Sequence, residues 1–254
     1  MSMAGSTPRD VTDEHGIALI LALMAMSLLL ALGLALTLTT NTEMRIAAAY
    51  RRGVEARYAA DAALARAVLE LSRETRWDDV LAGVKRSGFV DGAATGVRRL
   101  PGGGSLDLPA ATNLVRCGTP SCSQADLVAT TDDRPWGANN PVWQPYAYGP
   151  LNDFGPPGTL DSPTYVVVWV ADDPGENDDD PLHDGGPSPG CDAERESACP
   201  DRNTGRGVIV LLARAFGVDD TQRTVLMTLA RPRSSSDEVE DQSVARVISW
   251  REWR

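Results

Sequence analysis

Histidine is almost missing from this chain: there are two, His15 and His183, far apart in sequence. No H-E-x-x-H, G-x-S-x-G, phosphate-loop or dinucleotide fingerprint occurs, which removes the usual sequence signs of metallohydrolase, serine-hydrolase and nucleotide chemistry. Acidic pairs are plentiful, yet none lies in an apolar stretch of the kind that raises a carboxyl pKa for proton transfer. No catalytic residue is assigned, and the chain reads as a non-enzyme. Positive charge is also in deficit, with 24 Lys and Arg against 35 Asp and Glu and a net charge of −11. Nucleic acid is therefore not an expected partner, because phosphate contacts need Lys and Arg. Cysteine is sparse, with four residues and no C-x-x-C pair, so zinc knuckles are not expected either.

Charge is wholly absent from one long segment, Ile17 to Leu38 (IALILALMAMSLLLALGLALTL). As a helix rising about 1.5 Å per residue it would span roughly 33 Å, enough for a bilayer core of about 30 Å. Proline is absent from Glu43 to Arg76, where Ile46, Tyr50, Val54, Ala60, Leu64, Val68 and Leu71 recur at steps of three and four. One helix is expected from about residue 17, lipid-soluble to residue 38 and amphipathic over 39–76, ending between Arg76 and Gly83. Arg45, Arg51, Arg52 and Arg57 follow the apolar run and only Arg9 precedes it, so the positive-inside rule alone would place the C-terminal part in the cytoplasm.

Three features frame this helix: a glycine at the polar–apolar junction (H-G-I-A-L-I-L-A-L, 15–23), a charged patch Thr42-Glu43-Met44-Arg45, and an alanine–acid–alanine stretch Tyr58-Ala59-Ala60-Asp61-Ala62-Ala63-Leu64. Together they resemble the N-terminal region of PilX-type minor pilins of the type IV pilus family, with Asp61 where the family usually carries Glu. The resemblance implies a prepilin-type leader over 1–16, cleavage after Gly16 by a membrane prepilin peptidase, and methylation of the new terminus at Ile17. A residue without Cβ obstructs a protease least where the backbone must be approached closely. Main pilins carry a glutamate at the fifth position after the cut, where this chain has Leu21. In a filament that glutamate would neutralise a neighbour's terminal amine, since an unpaired charge among apolar helices is costly. Its replacement favours a minor, tip-associated subunit. Ala18, Ala22, Ala25, Gly33 and Ala35 are the small residues expected to let neighbouring helices pack closely.

Beyond residue 77 the composition changes, and most of the 23 glycines and 17 prolines lie there. Short strands are expected at 97–100, 105–108 and 113–117. The Pro-, Gly- and Asn-rich stretch 130–158 interleaves Trp136, Trp143, Tyr146, Tyr148 and Phe154, rings that either pin a long loop to the core or present themselves to a sugar or a surface. Tyr165–Val170 is a β-branched run fit for a buried strand. Residues 208–218 and 221–231 flank a Gly-Val-Asp-Asp turn as a hairpin, and 243–254 reads as a last strand. The fold class expected is α+β, pilin-like: one long N-terminal helix laid on a small antiparallel sheet of three or four strands with long loops, the β-rich part covering 77–254.

Cys117 and Cys122, and Cys191 and Cys199, form two close pairs that point to two short disulfide loops. Four cysteines allow three connectivities, and four free thiols in a reducing compartment is the other reading. Disulfides would place 77–254 outside the cytoplasm. Within an insert at 171–206, the span 172–184 holds seven acids and no Lys or Arg. Such crowding needs screening by water or by a hard cation, and calcium held by Asp173, Asp178, Asp180 and Asp184 stands beside a plain solvated loop.

The function implied by the resemblance is a structural minor pilin that helps initiate, cap or assemble a type IV pilus, whether for motility, adhesion or DNA uptake. Its partners would be other pilins, the prepilin peptidase and the inner membrane, with a single pass, a periplasmic head, and later an extracellular pilus. A K-type minor pseudopilin of type II secretion is the nearest alternative. An uncleaved membrane-anchored receptor or adhesin is the alternative of a different class.

Overall fold

The structure, a computed structural model, describes residues 12–156, 158–175, 180–184, 207–231 and 245–253. The chain divides into two compact units, residues 1–51 and 52–254. Helix α1 (Thr12–Leu71) supplies all described residues of the first unit and the opening element of the second. It ends at Leu71, five residues before the boundary expected at Arg76. There Ser72 turns its hydroxyl back onto the Val68 carbonyl at 2.7 Å, and the Trp77 indole donates to the Leu71 carbonyl at 3.0 Å. These side chains add a second bond to carbonyls that Ser72 N and Glu74 N also engage, at 2.9 and 3.1 Å, and so tie off the helix end.

In the second unit, five antiparallel strands run in the order β3 (Gln144–Pro150), β4 (Tyr165–Asp172), β5 (Val208–Phe216), β6 (Gln222–Ala230) and β7 (Arg246–Trp253). Two minor strands, β1 (Val97–Arg99) and β2 (Ser105–Asp107), form a separate ribbon. The sheet is thus one strand larger than the sequence suggests. The addition is β3, inside the stretch read as a loop. Pro145, Gly149 and Pro150 disguise it, but proline is tolerated where a strand lies at a sheet margin. Tyr146 and Tyr148 are buried there and Trp143 just before them, so these rings are core residues, whereas Trp136 stays exposed.

All eight residues of β4 are buried, because the sheet is covered on both faces. Val166, Val168 and Val170 share a core with Ala56, Ala59, Ala60, Ala63, Leu64, Ala67 and Leu71 of α1. Tyr165, Val167, Trp169 and Ala171 pack with Leu108, Ala111 and Val115 of a second helix, α3 (Leu108–Cys117). This second layer corrects the strand expected at 113–117. Asp107 caps the helix by accepting from Ala110 N at 3.0 Å, Pro109 sits in its first turn, and Gly118 closes it at φ 78°. Thr112 within it receives the Trp169 indole N–H at 2.9 Å. Helices α2 (Asp78–Leu81) and α4 (Gln124–Val128) are short connectors.

The β5–β6 hairpin has the expected turn. Asp219 and Asp220 adopt φ of 52° and 55°, as the central residues of a tight hairpin turn require. Arg52 at the start of the second unit ion-pairs with Asp219.

Candidate functional site

The residues from the junction to the acid–alanine motif lie on α1, in two environments. In the first unit every side chain from Gly16 to Tyr50 is exposed, including Ile17, Leu21 and the large apolar residues through Leu38. By length and composition this is the one helix among the described residues able to cross a membrane. The polar side chains between 17 and 40 are hydroxyls, and each is bonded to its own helix. Ser27 donates to the Met24 carbonyl at 2.8 Å, Thr37 to Gly33 at 2.9 Å, Thr39 to Ala35 and Thr40 to Leu36 at 3.0 Å each. Such bonds hide a hydroxyl from an apolar medium.

Gly16 and Ile17 fall inside α1, which begins at Thr12. A Cβ added at Gly16 or Gly33 would meet no other atom within 4 Å. Their glycines therefore answer to no packing need within the chain. At about 100° per residue, Ala18, Ala22, Ala25 and Gly33 share one face of the helix, and Ala35 lies roughly a third of a turn away. Ile46 and Tyr50, read from periodicity as part of the inward seam, are exposed, Tyr50 at 75%. The seam that is buried begins at Ala56 and is made mostly of alanine.

Within the second unit the motif Tyr58–Leu64 divides by face. Ala59, Ala60, Ala63 and Leu64 are buried against the sheet, and Tyr58 and Ala62 are exposed. Asp61, at the margin, accepts from the Trp250 indole at 3.0 Å, with Arg57 placed 5.1 Å over the same ring. The motif thus joins the helix to β7 as well as to the sheet face. Gly53 makes room for the Arg223 guanidinium, which would lie 2.8 Å from an added Cβ.

Cys117 and Cys122 form a disulfide at the C-terminal end of α3. Cys191, Cys199 and Asp178 lie outside the described residues, as does most of the insert. Of the other acids proposed as ligands, Asp173 accepts from Gly175 N and Asp180 from Leu182 N, each at 3.0 Å within its own turn. Asp184 is buried, with Oδ2 2.7 Å from Arg231 Nη2. Arg231 also donates to the Thr75 carbonyl at 2.7 Å and lies 4.7 Å over the Trp77 ring. Asp184 therefore anchors the base of the insert beside the end of α1, a role that sequence spacing could not reveal because Arg231 is remote in the chain. Among the described residues no group of three or more His, Cys, Asp or Glu is placed to hold a metal ion.

The PilX N-terminal family model matches residues 15–65, from the junction glycine's neighbour through the acid–alanine motif. Residues 15–65 are a PilX-type pilin N-terminal region. No curated protein and no solved structure matches the chain. The exposed apolar helix, the alanine seam on the antiparallel sheet and the α+β plan all fit a type IV pilin. In this family the subunit is structural and packs with other pilins in a pilus, and the helix suits it to membrane anchoring.

Proposed function

We propose that this protein is a minor pilin that helps initiate, cap or assemble a type IV pilus and takes no catalytic part. The observation that carries the reading is the PilX N-terminal match on a helix whose whole apolar half is exposed and whose hydroxyls are internally bonded. A surface of that kind calls for lipid before assembly and for other apolar helices afterwards. Leu21 in place of a fifth-position glutamate supports a place with no subunit ahead of it. The chain would sit in the inner membrane in a single pass with its β-rich part in the periplasm, a compartment that fits the Cys117–Cys122 disulfide.

Cleavage by the prepilin peptidase after Gly16 requires the first turns of α1 to open. Glycine costs a helix about 1 kcal/mol relative to alanine, which eases that opening at the scissile bond. K-type pseudopilins usually carry a large helical insert, whereas after α1 the longest helix among the described residues is α3, with 10 residues, so that alternative is less well supported.

Mass spectrometry of the native protein tests the reading. A mature terminus at methylated Ile17 is expected. A terminus upstream of Ile17 would support the uncleaved receptor instead.

A further inference from the structure

The five-stranded sheet has two edges, and the chain treats them differently. Along β3, residues 87–91 form a parallel cover. Ser87 N donates to the Tyr146 carbonyl and Tyr148 N to the Phe89 carbonyl, each at 3.0 Å, and Asp91 N donates to the Tyr148 carbonyl at 2.8 Å. Along β7, no described segment pairs with the side turned away from β6. A bulge at Ile248 interrupts this strand, but Ser249–Trp253 keeps unbroken register with β6. The edge is also held in place, with Ser249 Oγ 2.9 Å from Thr228 Oγ1 and the Trp250 indole on Asp61. Even so, Val247, Ile248, Trp250 and Trp253 stay between 41% and 57% exposed. In an antiparallel ladder the outer strand turns alternate N–H and C=O groups away from its one neighbour, so β7 presents a fixed row of them.

We propose that β7 is a docking edge for an extended acidic segment of a partner protein, which adds a sixth strand to the sheet. The outward backbone groups of Ser249–Trp253 bind the segment, and its charge is set by two arginines. By register, Arg251 opposite Leu226 and Arg246 opposite Ala230, both lie on the face turned away from α1. Neither makes a hydrogen bond or ion pair among the described residues. Across β5, β6 and β7 the one acid is Glu252. It stands opposite Val225 on the α1 face and is engaged there by Arg223 at 3.5 Å.

The chemistry of the occupant follows from that layout. Leu226 and Ala230 are four residues apart on β6, so the two arginines are separated by about 13 Å along the edge. A strand with carboxylates at alternate positions can set one opposite each, and opposite charges across neighbouring strands attract. Its other face would lie beside Trp250 and Val247 and is apolar. Two copies of β7 laid edge to edge would bring four unpaired arginines onto one face, so the edge selects a different strand from its own. None of this rests on the pilin reading.

Titration of the full chain in detergent with an end-blocked synthetic decapeptide of alternating valine and glutamate tests the edge, with amide hydrogen exchange followed by mass spectrometry. The expected result is saturable binding that slows exchange at least tenfold in 246–253 and leaves 144–150 unchanged. A valine–lysine decapeptide should not bind, and neither should the valine–glutamate peptide with every backbone N–H methylated. The double variant Arg246→Glu, Arg251→Glu should lose the glutamate peptide and gain the lysine one. Both control peptides use the native chain, so they decide the matter even if the variant misfolds. Equal binding of the methylated peptide would show a charged patch in place of a strand edge and overturns the proposal. So do equal binding of the lysine peptide, binding unchanged in the double variant, and no binding by the glutamate peptide. Because no filament is needed, this result is independent of where the mature N-terminus lies.

Discussion

The Trp250 indole N–H donates to Asp61 Oδ1 at 3.0 Å, linking the last strand to the long helix across 189 residues of chain. Arg57 completes the contact, 5.1 Å over the ring and 4.0 Å from Asp61. Every residue of β7 is exposed, so this contact holds the strand in a way its own burial does not.

Asp61→Ala should therefore lower stability by about 1 kcal/mol, the worth of one partly exposed hydrogen bond to a charged group. Asp61→Asn, which retains an acceptor oxygen, should cost less. Urea midpoints for Asp61→Ala, Trp250→Phe and the double variant would give the coupling directly, and additive losses would show that the two side chains do not interact.

Gly102 lies where the β1–β2 turn meets the β5–β6 hairpin. An added Cβ would sit 2.9 Å from Val218 N and 3.0 Å from both the Gly217 carbonyl carbon and the Pro163 oxygen. All three are backbone atoms that cannot swing aside. Gly102→Ala should destabilise by roughly 1–3 kcal/mol in urea unfolding. Gly33→Ala meets nothing within 4 Å and should leave the isolated subunit at least as stable, by helix propensity. A loss of piliation in Gly33→Ala alone would then report a contact with a neighbouring helix.

Two buried phenols set an alkaline limit. Tyr146 is pushed well above the ordinary tyrosine pKa by burial first and then by Glu70, to which its hydroxyl donates at 3.4 Å. Tyr165 is raised by burial and by Asp91, 3.3 Å away. A phenol whose pKa is higher in the folded state contributes stability fully below the unfolded value of about 10, and that contribution is lost as pH rises through the folded value. The urea midpoint should hold up to about pH 9 and fall beyond pH 10. Phenylalanine at both positions should flatten the decline, with phenolate absorbance as the direct readout.

The Cys117–Cys122 disulfide closes a loop with a sequence separation of 5. For so small a ring the chain-entropy account gives about 2 kcal/mol. Cys122→Ser, or reduction, should shift the urea midpoint by that order and should not change the far-UV spectrum, since Asp107 and Gly118 still cap α3.

Much of this was legible from residue order. The charge-free run from Ile17 to Leu38, the β-branched run at Tyr165–Val170 and the Asp-Asp hairpin turn each state their conformation locally. The strand β3 was hidden because Pro145 and Pro150 argue against a strand unless its marginal position is already known. Helix α3 was misread through Leu114 and Val115, although Asp107, Pro109 and Gly118 carry start and stop signals that would have found it. Asp184 could not be placed, because its partner Arg231 is joined to it only by the fold. The seam of α1 was drawn too far toward the N-terminus for a similar reason. Ile46 and Tyr50 keep helical step, but the buried apolar seam of the helix begins at Ala56.

The hydroxyls of Ser27, Thr37, Thr39 and Thr40 are all turned in upon their own carbonyls. A rod so silenced offers a neighbour no free hydroxyl donor between residues 17 and 40. What selects one azimuth over another there is shape alone, the small-residue face of Ala18, Ala22, Ala25 and Gly33, and any charge-based registry in a bundle built from it must come from the parts that stand clear of the grease.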